Sequence, residues 1–82
     1  MPLSPAASQI VRLGYALYGD SWQGQFARMT GLSRPYVTRI AAGDRPVTEA
    51  VKVAIVTGLR AEAKRLRARA VEFTAAANDF CD

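Results

Sequence analysis

Arg34, Pro35, Thr38 and Arg39 share one face of any helix drawn through SRPYVTRIAA, because residues one turn apart line up. Each guanidinium offers a planar fork of N–H donors that suits two acceptors side by side. Matching acceptors are carboxylates, phosphates and the O6/N7 edge of guanine. Thr38 adds a hydroxyl that donates and accepts, and a methyl suited to a thymine methyl. Pro35 lacks an N–H and offers apolar contact alone. A second group brackets the first: Gln23, Ser33, Tyr36 and Arg45. These side chains can donate to phosphate oxygens, which sets register and affinity without reading base sequence. Gln23 would do so beside the free N–H groups at a helix start.

Such a face must be presented by a helix held firmly at one edge. The run Gln23–Ala42 reads as helix, tight turn, helix. Ala27 falls where the two helices cross and only a small side chain fits. Gly31 stands where the turn needs positive φ. Leu32, Val37 and Ile40 are apolar at offsets that seat the second helix on the first, with Ala41 beside them. The groove-facing helix is expected over 33–42, with Ser33 as its cap, Pro35 in its first turn and Gly43 at its end. An earlier helix is expected at about 5–18, started by Ser4-Pro5 and stopped by Gly19. Asp20 or Ser21 should cap the next, and Asp20 with Gln23 has the form of a capping box. Trp22 reads as core, and Tyr15 and Tyr18 as core or rim.

Thr48 with Glu49 opens the last segment, where Val51, Ala54 and Ile55 should face the earlier helices. Here Val56, Leu59, Ala63, Leu66, Ala70, Phe73, Ala77 and Phe80 follow one another at spacings of 3, 4, 3, 4, 3, 4 and 3. That is an unbroken heptad seam, in which bulky side chains alternate with alanines. At 1.5 Å per residue a helix of roughly 30 residues overshoots a domain this small, so a second subunit is expected to cover the seam from Leu59 to Phe80. Gly58 leaves open whether the helix is kinked, and the pairing direction is also open. Lys64, Arg65, Arg67 and Arg69 read as a solvated face partly offset by Glu62 and Glu72.

The bulk numbers agree with a small binding protein. With 82 residues the chain should form a single domain, 1–82, built from a three-helix unit at 5–46 and a long helix at 48–80. Half the residues are hydrophobic, enough for a small core that a partner subunit would steady. The net charge is +4, and the segment from Trp22 to Pro46 carries four arginines against Asp44. Most of the positive excess therefore lies in the bihelical block, which favours a polyanionic partner. There is no histidine, so the commonest general base and metal ligand is missing. The lone Cys81 cannot close an intrachain disulfide and has no base beside it, so neither an enzyme nor a metal protein is expected. No apolar run reaches the roughly 20 residues that span a bilayer, and no leader peptide is expected.

The residues Gln25-Phe26-Ala27, Gly31-Leu32-Ser33, Val37, Ile40 and Gly43 resemble the helix-turn-helix of the phage Cro/C1-repressor family, over about 20–46. The wider layout resembles small bacterial and prophage regulators of this type, some of them autorepressors beside anti-CRISPR genes. The resemblance implies an all-α, homodimeric, sequence-specific transcriptional repressor of the cytoplasm, working on the bacterial nucleoid. In such a unit the exposed face of the second helix, with Arg34, Pro35, Thr38 and Arg39, is the one expected at base edges. The family often has a polar residue where Pro35 stands, and its short C-terminal helices are replaced here by the long heptad helix. Double-stranded DNA and a second copy of the chain are the expected partners, with no cofactor, small ligand or membrane. A coiled-coil adaptor or inhibitor that binds no DNA is the alternative.

Overall fold

The computed structural model describes residues 3–81 and is all-α. Its helices are α1 (Pro5–Tyr18), α2 (Trp22–Thr30), α3 (Arg34–Ala42) and α4 (Glu49–Phe80), with one 3-10 turn at Gly19–Ser21. Local chemistry sets most boundaries. The Ser4, Ser33 and Thr48 hydroxyls accept from the backbone N–H groups of Ala7, Tyr36 and Val51, which opens α1, α3 and α4. Gly31 and Gly43 close α2 and α3 in the left-handed region, at φ 76° and 84°. At Gly43 the cap is doubled: its N–H donates to Ile40 O and the Asp44 N–H to Arg39 O.

The start of α2 departs from the capping box expected at Asp20 and Gln23. The 3-10 turn leads straight into the helix, and Ser21 makes no side-chain cap bond. Gln23 is engaged elsewhere, as described below.

The core is one cluster. Trp22 and Phe26 of α2 are almost fully buried, with Val37 and Ile40 of α3, Ala7 and Ile10 of α1, and Val51 and Ile55 of α4 around them. The Trp22 and Phe26 rings meet edge to face, 5.5 Å apart at 83°. Tyr15 lies 6.1 Å from Trp22 on the outer side and is half exposed. The inner face of α1 is thus Ala7, Ile10 and Gly14, while Leu17 at its end stays exposed. Ala27 is buried in the same cluster. Below it the Thr30 hydroxyl donates to Phe26 O or Ala27 O, at 2.9 and 3.2 Å, and accepts from the Leu32 N–H, bracing the turn from inside.

Two glycines are contact points rather than weaknesses. A Cβ on Gly14 would enter the Trp22 ring. One on Gly58 would lie 2.5 Å from the Met29 carbonyl oxygen, so α4 touches α2 backbone to backbone. Gly58 produces no break, and α4 runs unbroken over 32 residues, about 48 Å at 1.5 Å per residue. Ordinary helix propensity makes Gly58→Ala favourable by up to about 1 kcal/mol. The contact with Met29 reverses the sign: overpacking against backbone that cannot yield costs about 1–3 kcal/mol, so a net loss of up to about 2 kcal/mol is expected, read by urea denaturation.

Residues beyond the core give the molecule its shape. Its extents are 58 × 24 × 20 Å and its radius of gyration is 16.0 Å, against roughly 12 Å for a compact chain of this length. The second half of α4 accounts for the excess, since every described residue from Lys64 onward is exposed.

Candidate nucleic-acid interface

The exposed side of α3 carries Arg34, Pro35, Thr38 and Arg39, and its opposite side buries Val37 and Ile40. The face expected from the residue spacing therefore points outward. Among the described residues the ion pairs are Lys52 with Glu49 and Arg65 with Glu62, both along α4. Among the described residues Arg34, Arg39 and Arg45 form no ion pair.

The start of α2 adjoins this face. The Thr38 hydroxyl donates to Gln23 Oε1 at 2.6 Å, joining α3 to the first turn of α2. This bond explains why Gln23 does not reach back to Asp20. The Arg34 stem passes over Gly24, its Cδ 4.0 Å from where a Cβ would stand. Gln23, Arg34 and Thr38 therefore form one surface, with the positive end of α2 at its edge. Residue spacing gives no signal for Gly24, whose role depends on what crosses above it.

The other expected phosphate donors are dispersed. The Ser33 hydroxyl serves as the cap of α3 while lying exposed, and Tyr36 is partly buried. Arg45 stands in the turn after α3, at the far end from Gln23.

The heptad seam divides into two parts. Leu59 and Ala63 are partly covered by their own domain, where α2 packs against α4, so these two positions do not lie wholly free for a partner as expected. The physical reason is that α4 must turn one side toward α2, and that side grades into the seam near Leu59. Leu66, Ala70, Phe73, Ala77 and Phe80 are exposed, Phe80 at 93%. An open groove of about 690 Å³ runs between Leu17, Tyr18 and Met29 on one side and Leu59, Glu62 and Leu66 on the other. At its edge the Tyr18 phenol is pushed above its ordinary pKa by burial and by the nearby Glu62, with Arg65 opposing.

No family model, curated protein or solved structure matches this chain. Among the described residues no helix is long and apolar enough to cross a membrane.

Proposed function

We propose that this chain is a sequence-specific DNA-binding transcriptional regulator, acting as a homodimeric repressor of its own gene in the bacterial cytoplasm. The carrying observation is the exposed face of α3. Two arginines that form no ion pair among the described residues flank Thr38, and Thr38 is tied to Gln23 at the positive end of α2. In this reading α3 enters the major groove, and Arg34 and Arg39 take guanine edges. Thr38 and Pro35 meet thymine methyls, while Gln23, Ser33, Tyr36 and Arg45 hold phosphates. The bond between Gln23 and Thr38 links the group that sets register to a group that reads. A two-fold dimer calls for an inverted-repeat site.

The exposed Leu66, Phe73 and Phe80 support a second reading, a protein-interaction module that works through α4 without DNA. The two are separated by binding to the DNA just upstream of the chain's own gene, against a shuffled duplex of equal length at physiological salt. A specific reader is expected to prefer its site by a factor on the order of 10³ or more. Equal, weak binding to every duplex in a random-sequence selection would remove the regulator reading.

A further inference from the structure

We infer that α4 pairs antiparallel with α4 of a second copy, about a two-fold axis at the level of Ala68. The inference rests on the homodimer reading above but not on DNA binding. Its source is the order of side-chain sizes along the seam. With the axis at Ala68, Leu66 lies against the partner's Ala70, Ala63 against the partner's Phe73, and Leu59 against the partner's Ala77. Val56 meets the partner's Phe80 at each end. All but the end layers set a large side chain against a methyl group, so two straight helices stay at one separation throughout. A parallel, in-register pair would stack Leu on Leu and Phe on Phe, with Ala on Ala between them. Those layers alternate between crowded and empty, and the empty ones are cavities.

Charge argues weakly the other way. A parallel pair would bring Glu62 near the partner's Arg67, whereas the antiparallel pair gathers Arg67 and Arg69 of both chains around the axis. Exposed ion pairs contribute little, and Glu62 already holds Arg65. Size complementarity decides the direction. The arginines at the axis have a readable consequence: added salt should strengthen the dimer, where a salt-bridged interface would weaken.

The area suffices. The exposed parts of Leu17, Val56, Leu66, Phe73 and Phe80 amount to on the order of 600 Å² per protomer, and the seam alanines and arginine stems bring this toward the about 800 Å² per partner of a standard interface. The groove beside Leu17, Met29 and Leu59 continues the same surface, and in this register it receives the partner's Phe73 and Ala77. The antiparallel pair also spaces the two domains. Ile55 and the partner's Ile55 stand about 39 Å apart along the helix pair, on the scale of the roughly 34–36 Å between half-sites one DNA turn apart.

Cys81 is exposed at the end of α4 and is the chain's single cysteine, so the native protein carries its own probe. Nitroxide-labelled Cys81 should give a pulsed electron-resonance distance of about 40 Å. Ala75→Cys in a Cys81→Ser chain should give about 20 Å along the pair. Sedimentation of the same samples should show a dimer. A dimer whose Cys81 labels lie within about 10–15 Å, or whose unlabelled Cys81 oxidises to a disulfide-linked pair, is parallel and overturns the inference. Any other pair of distances assigns another register and overturns it too. A monomer removes this inference and the homodimer reading together, whereas loss of DNA preference with the expected distances removes only the DNA reading.

Discussion

Exchanging Arg34 and Arg39 together for alanine is expected to abolish most of the preference for the chain's own operator while leaving the fold intact. A bidentate guanidinium on guanine discriminates by about 1–3 kcal/mol, and well-separated base contacts add roughly, so the pair accounts for about 2–6 kcal/mol. That is comparable to the whole margin of a modest specific binder over non-specific DNA, about 4–10 kcal/mol. Both side chains are exposed and neither holds an ion pair among the described residues. The expected change in stability is therefore within about 0.5 kcal/mol. Exchange of both for lysine separates reading from simple attraction. Lysine keeps the charge and loses the fork, so the salt dependence should persist while the preference falls. Fluorescence anisotropy on specific and shuffled duplexes across a salt series measures both. An undiminished preference in the alanine pair would place the reading face elsewhere on the chain.

The largest expected loss of stability is that of Trp22→Ala. Trp22 is 2% exposed and stands at the centre of the molecule. Its ring fills the space left by Gly14 and meets the edge of Phe26. Truncating a buried aromatic of this kind costs about 3–5 kcal/mol. At about 0.05–0.15 kcal/mol per residue a domain of this length holds roughly 4–12 kcal/mol in all. The variant is therefore expected to lose from about a quarter to all of its stability, seen as a lowered urea midpoint or as failure to fold. Gly14→Ala should couple to it. Alone, the added methyl strikes the ring; with Trp22 removed, it occupies part of the cavity. The double variant should accordingly be more stable than the two separate losses imply, which a double-mutant cycle reads directly.

Most helix boundaries are legible in the residues because caps are local chemistry. Ser4-Pro5, Ser33, Thr48, Gly31 and Gly43 act within three or four positions of themselves, and each stands where its type indicates. The buried side of α3 is legible for the same reason, since Val37 and Ile40 repeat at helical spacing. At the start of α2 the position is legible, with Ser21 at the cap, but the capping chemistry is not: Ser21 makes no side-chain cap bond, and Gln23 accepts from the Thr38 hydroxyl instead of reaching back to Asp20. The glycines are the other limit. Gly14 reads as a weak point or a close-packing site and Gly58 as a candidate kink, and the choice depends on Trp22 and Met29, which spacing alone does not bring near. The seam is legible as a seam. Where it passes from the chain's own domain to open surface follows from how α4 leans on α2.

The backbone contact at Gly58 makes α4 a phase-keeping shaft. With no side chain between Gly58 and Met29 to bend or re-rotamer, the azimuth of the helix is set where it leaves the domain and carried outward unbroken to Phe80. One residue inserted between Arg60 and Ala61 would rotate everything beyond it by about 100°, swinging Leu66, Phe73 and Phe80 off their line with Leu59 at almost no change in length. Seven inserted residues would bring the seam back to within about 20° and lengthen the shaft by roughly 10 Å. For the proposed pairing of two copies, chain length beyond the domain is therefore quantised, with single steps breaking the seam and whole heptads keeping its line.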